Sequence, residues 1–173
     1  MYCITILLCN GCITSNISQN SLEPASIKLA HLQTKTLGLK VTKTIDNYAG
    51  HQYLLFIIPF GKVKIKDPVN DIFNITFREL ALRGFQVAEA NNQLEIEIND
   101  LSLSAYDLFL TRNLSSELSI SCKLYRNGKL SKISLQKSTL SRFKSYGFEQ
   151  QLKSLWQENT QNAIKACLAE LLG

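Results

Sequence analysis

Apolar residues recur at spacings of three and four in two stretches of the chain and at every second position in several others. Between Asp67 and Leu82, the residues Val69, Ile72, Phe73, Thr76, Phe77 and Leu80 fall on one helical face, which is expected to be core. Asp67 can cap this helix and Pro68 can open it, because proline's fixed φ suits the first turn and its missing N–H would have no partner there. Leu82 and Arg83 close it before Gly84, where a left-handed residue costs little. Phe85 and Val87 then begin extended chain. After the turn-prone Asn91 and Asn92, Leu94, Ile96 and Ile98 alternate with Glu95, Glu97 and Asn99, as in a strand with one buried and one wet face. Leu101 and Leu103 continue the apolar set on odd positions, so the phase changes near Asp100, and a bulge would explain the change.

Around this unit the other elements follow from the same two periods. Leu37, Leu39 and Val41 alternate with Gly38, Lys40 and Thr42 in an earlier strand, and Asp46 to Gly50 has the composition of a reversing turn. Gln52 to Phe60 is a nearly continuous apolar run, suited to a strand buried on both faces or to a contact surface for a partner. Lys62, Lys64 and Lys66 then alternate with Val63 and Ile65, a short strand with a basic edge or face. Residues 106–113 read as a long loop. Leu118, Ile120, Cys122 and Leu124 alternate with polar residues up to Asn127-Gly128, a strong hairpin signal. The return strand carries Leu130, Ile133 and Leu135 and continues through Leu140 and Phe143 with a change of phase. From Phe148 to Leu172 no proline or glycine interrupts a helical pattern of Leu152, Leu155, Trp156, Asn159, Ala163, Ile164, Cys167, Leu168 and Leu171. The order β-β-α-β-β-β-α predicts an α+β fold, a largely antiparallel sheet with two long helices packed on one face.

Composition narrows the function. With 173 residues, 45% of them hydrophobic, the chain suits one domain with a real core. The net charge of +5 is mild and the lysines are interspersed with acids, so nucleic acid is not expected as a partner. Five cysteines show no metal-ligand spacing, although Cys9 and Cys12 form a CxxC within an apolar leader-like segment. Cys122 and Cys167 could pair if their backbones come within disulfide range. His31 and His51 lack a nucleophile or carboxylate nearby in sequence, and Glu95 and Glu97 lie on a solvent face. No phosphate loop, nucleophile elbow, zinc-protease motif or dinucleotide fingerprint is present. The expectation is a binding or structural protein without catalysis, metal, cofactor or small-molecule substrate.

The first residues suggest an address. Tyr2 to Cys9 is apolar but too short to span a bilayer, as in a leader. Gly11 supplies the small residue that precedes a lipidated cysteine, which makes Cys12 the expected anchor. Residues 1–11 then read as a lipoprotein signal peptide, 12–26 as a polar tether rich in Ser, Asn and Thr, and 27–173 as a single periplasmic domain. Ile13 stands where an aspartate would favour inner-membrane retention, so outer-membrane sorting is expected. The competing reading is a buried first strand of a cytosolic domain, with cysteine serving as a small hydrophobe.

With Leu37-Gly38-Leu39-Lys40-Val41 before an Asp-containing turn, Leu82-Arg83-Gly84-Phe85 after the first helix, Leu94 to Leu103, and the Asn127-Gly128 hairpin before the final helix, the chain resembles the YajG-like family of bacterial lipoproteins from roughly Ile27 onward. That resemblance implies a lipid-anchored protein on the periplasmic face of the outer membrane, an accessory or structural subunit of an envelope or secretion assembly with protein partners. Docking would use Tyr53, Leu55, Phe56 and Ile58, or a free sheet edge. An alternative is a transport-auxiliary lipoprotein similar to the LptE or ABC-transporter accessory families, contacting lipid or lipopolysaccharide through Lys62, Lys64 and Lys66. An enzyme reading, a hydrolase, would need a pocket of converging polar groups.

Overall fold

The computed structural model describes residues 13–17, 35–44, 49–54, 58–108, 111–144 and 148–173. In chain order the elements are β1 (Ile13–Ile17), β2 (Lys35–Lys43), β3 (Ala49–Leu54), β4 (Ile58–Ile65), α1 (Pro68–Leu82), β5 (Phe85–Val87), β6 (Gln93–Leu108), β7 (Thr111–Arg126), β8 (Lys129–Lys144) and α2 (Phe148–Leu172). Three long antiparallel strands, β6, β7 and β8, form the spine. The other side of β6 is shared: β2 pairs parallel with its first half, from Gly38↔Gln93 to Lys43↔Ile98, and β3 pairs parallel with its second half, from His51↔Ser104 to Leu54↔Asp107. β5 extends the β2 limb, while β4 and then β1 extend the β3 limb. The result is a curled, mixed eight-stranded sheet that divides at β6.

Several expectations change here. Because β2 and β3 both run parallel to β6, they follow one another in the same direction, so the turn-like residues before Gly50 do not reverse the chain. Residues 46–48 themselves lie outside the described residues. The apolar stretch from Gln52 is no single strand, since β3 and β4 pair antiparallel with each other, Leu54 opposite Ile58. Residues 106–113 are not a long loop either: β6 runs to Leu108, β7 starts at Thr111, and Tyr106 pairs with Asn113. The element order therefore holds more strands before α1 than expected, and the sheet is mixed where a largely antiparallel one was expected, four of its seven pairings among the described residues being parallel. Ile13–Ile17, the first residues of the expected tether, pair parallel with β4.

The local signals around α1 behave as their chemistry requires. The Asp67 side chain accepts a hydrogen bond from the Asn70 N–H at 3.1 Å, Pro68 opens the helix, and Gly84 ends it at φ 79°. The buried stripe is rotated from the expected one. Ile72, Ile75, Thr76 and Leu80 are inside together with Asp71 and Glu79, while Phe77 is exposed. In β6 the register shifts between Ile98 and Asp100, which keeps Leu94, Ile96 and Ile98 and then Leu101, Leu103 and Ala105 all facing the core. Without that bulge the second half of the strand would turn its apolar residues to solvent. At the far end of β7, Asn127 and Gly128 take φ 49° and 75°, as a two-residue hairpin demands.

The core lies between the sheet and the helices. α2 packs on β7 and β8, α1 on β2 and β5, and the two helices touch. Fully buried Trp156 on α2 donates its indole N–H to the Asp71 carboxylate on α1 at 3.0 Å. Cys122 on β7 and Cys167 on α2 are joined by a disulfide across Cα atoms 6.4 Å apart, both buried. At Gly50 the backbone of β3 lies against β6: a Cβ there would sit 1.7 Å from the Leu103 carbonyl oxygen. Gly50→Ala must therefore push the two backbones apart, and a loss of roughly 1–3 kcal/mol is expected in urea unfolding.

Candidate docking surface

Among the described residues, no group of three or more His, Cys, Asp or Glu side chains could hold a metal ion, and no helix is long and apolar enough to cross a membrane. The void beneath β3, lined by Gly50, Val63, Ile65, Leu101 and Leu103, is too small to hold a water molecule. Buried polar groups serve packing. Asn159 of α2, fully buried, donates to the Ser116 carbonyl and hydroxyl oxygens at 3.0 Å and to the Ser138 carbonyl at 3.2 Å, and accepts from the Ser138 hydroxyl at 2.6 Å. Gln161 donates to Glu79 at 2.7 Å, tying α2 to α1 a second time.

Asp71 is a buried carboxylate on α1 that holds its proton more tightly than usual. Burial pushes its carboxyl above the usual carboxylate range, and the Trp156 N–H and the Lys153 charge oppose that push only in part. Its folded value exceeds the unfolded one, so the native state binds the proton more readily. The corresponding stability is fully present below the ordinary aspartate value of 3.8 and is lost as pH rises through the folded value. Asp71→Asn keeps an oxygen for the Trp156 N–H and removes the charge. The variant is expected to be at least as stable as the wild type at neutral pH, with its advantage shrinking toward pH 4, in urea unfolding of the two proteins side by side.

The surface that stands out is the open face of the sheet and its β8 border. Opposite residues in paired strands point to the same side, so the register defines rows across β6, β7 and β8. At one end the row is Tyr106, Asn113 and Phe143, with Tyr53 of β3 stacked on Tyr106 at 5.2 Å. The next row holds His51, Ser104, Ser115 and Ser141, and further along come Ser102, Glu117 and Thr139. At the other end Lys40 pairs with Glu95 at 3.2 Å and Lys123 with Glu97 at 2.9 Å, and the Tyr125 hydroxyl donates to Glu95 at 3.2 Å. The Lys123 and Thr44 hydrogen bonds hold Glu97 below the ordinary carboxylate range, and Glu97 in turn raises Lys123. These charges are matched, and the middle of the face is mostly serine, with His51, Glu117 and Thr139 among it.

β8 breaks that pattern. Its inner face, against α2, is polar apart from Leu140: the Ser134 hydroxyl and the Gln136 amide donate to Glu170 at 2.5 and 2.9 Å, Ser138 bonds Asn159, and Arg142 pairs with Glu158. The strand's other large apolar residues face outward, with Leu130 55%, Ile133 52%, Leu135 71% and Phe143 67% exposed. Among the described residues β8 pairs only with β7, so along 16 residues every second backbone N–H and C=O points outward. The strand carries five basic and no acidic residues. Native edges are usually blunted by shortness, proline or bulges, whereas this one is long and apolar on its open side.

The residues singled out from the sequence are not brought together. Cys12, Leu55, Phe56 and His31 lie outside the described residues. Tyr53 is half-buried in its stack with Tyr106, and Ile58 is 51% exposed at the start of β4. Lys62 and Lys64 are exposed, and Lys66 follows β4, while Val63 and Ile65 are buried. β4 lies between β3 and β1, so these lysines line a face and guard no edge. The β8 edge was missed because alternation marks an apolar face without saying which side the helix covers. One available signal was Asn159 on the inward stripe of α2, which asks for a polar strand opposite.

No protein-family model matches the sequence, and no curated protein does. The fold does have solved counterparts. A Xanthomonas campestris protein of the DUF330 family overlays with a TM-score of 0.51 at 10% identity, covering 92% of this chain and 94% of that one. Weaker overlays are found with a minor lipoprotein from Acinetobacter baumannii (TM-score 0.47, 12% identity, 81% and 92% of the two chains) and with the rare lipoprotein B from Shewanella oneidensis (0.45, 13%, 78% and 93%). At these identities the overlay with the Xanthomonas protein establishes a shared fold.

Proposed function

We propose that this chain is a non-catalytic lipoprotein, anchored through Cys12 at the periplasmic face of the outer membrane, and that it serves an envelope or secretion assembly as an accessory subunit that docks proteins along β8. The observation that carries the docking part is the inversion of β8, mostly polar toward α2 and apolar toward solvent, on an edge that pairs with no further strand among the described residues. The buried Cys122–Cys167 bridge supports an oxidising compartment such as the periplasm, and Gly11-Cys12 supports the anchor. The finer YajG-like label rests on the sequence motifs. A headgroup site at Lys62, Lys64 and Lys66 is less favoured, because buried Val63 and Ile65 already account for a solvated lysine face.

A photo-crosslinking residue placed at Leu135 in cells should give a discrete protein adduct. The same residue at Ser154, exposed on the outer side of α2, should give none. Equal labelling at both positions, or none at Leu135, would remove β8 as the docking surface.

A further inference from the structure

We infer that the occupant of the β8 edge is an extended, acidic segment of a partner protein that adds a further strand to the sheet. This rests on the docking reading above and specifies the partner's chemistry. The outward N–H and C=O groups of β8 need hydrogen-bond partners when covered, and each one buried without a partner costs roughly 1–3 kcal/mol. A bilayer or a smooth apolar surface leaves them unpaired, whereas a strand pairs them all. Ile133 and Leu135 are two residues apart on one side of the pleat, so they meet alternate side chains of an incoming strand.

Charge then selects the sequence of that strand. β8 carries no acidic residue, and although its Arg142 is paired with Glu158, Lys129, Lys132 and Lys137 are exposed beside the open edge. A second copy of this chain would bring the same exposed lysines alongside, which disfavours edge-to-edge pairing of two β8 strands. A segment alternating apolar and acidic residues matches both the pleat and the sign.

The test uses the full-length Cys12→Ser chain and two synthetic ten-residue peptides, one alternating valine with glutamate and one alternating valine with lysine. The glutamate peptide should slow hydrogen exchange at the β8 amides and bind more weakly as salt rises, and the Lys132→Glu/Lys137→Glu variant should bind it about tenfold less well. The lysine peptide should not bind. Equal binding of both peptides, or no β8 protection at millimolar peptide, would overturn the inference. So would a concentration-dependent dimer lost in Leu135→Glu, or β8 protection by phosphatidylglycerol vesicles in place of the peptide. A Leu135 crosslink to a protein alongside failure of the glutamate peptide would leave docking standing and remove the acidic partner, whereas failure of both would remove the two together.

Discussion

Replacing Trp156 by alanine should cost the fold about 3–5 kcal/mol, a large part of the stability of a domain of this size. Trp156 is the largest fully buried side chain and sits where α2 meets α1, so its loss opens a cavity at the junction of both helices with the sheet. The indole N–H is also the hydrogen-bond donor to Asp71, and the truncated protein leaves that carboxylate buried with one partner fewer. Trp156→Phe separates the two effects: it keeps most of the volume, loses the N–H, and should cost roughly 1–3 kcal/mol. Combining either change with Asp71→Asn should recover part of the hydrogen-bond loss and none of the cavity loss. Urea unfolding of these four variants beside the wild type and Asp71→Asn measures this directly, and equal costs for Phe and Ala would show that volume at Trp156 matters little.

The second large effect belongs to the bridge between β7 and α2. Cys122 and Cys167 are 45 residues apart, and closing a loop of that length removes chain entropy worth about 4 kcal/mol from the unfolded state. Cys122→Ala/Cys167→Ala, or the wild type in strong reductant, should therefore melt roughly 8–16 °C lower than the oxidised protein. Alanine is the suitable replacement because both sites are fully buried, and serine would add an unpaired hydroxyl. A melting temperature indifferent to reductant would mean that the two thiols are not joined in the protein as made.

Local chemistry explains which parts of this fold could be read from the sequence. The Asp67 cap, Pro68, Gly84, the Asn127-Gly128 turn and the change of phase at Asp100 are each decided by a few neighbouring residues, and each stands in the structure where the sequence puts it. The disulfide was open in the sequence because only the packing of α2 on β7 brings Cys167 to Cys122. Parallel pairing of β2 and β3 with the two halves of β6 leaves no mark in either strand, since alternation gives faces and not neighbours. Tyr106, Asp107, Arg112 and Asn113 look like loop residues because they are polar, yet Arg112 pairs with Asp107 across a tight connection. β8 was legible as a strand and illegible as a surface. Leu130, Ile133 and Leu135 resemble any core stripe until Asn159 and Glu170 of α2 claim the serines and Gln136 on the other side.

The address at the membrane is the premise on which the envelope reading stands, and one measurement reaches it. The gene is expressed from its own locus context in a bacterial host, and intact mass and membrane fractionation are compared for the wild type and Cys12→Ser. A wild-type protein that begins at Cys12, carries a diacyl or triacyl mass and floats with outer membrane, beside a variant that does neither, is the predicted result. An unlipidated wild type that stays soluble with its first residues intact would contradict it.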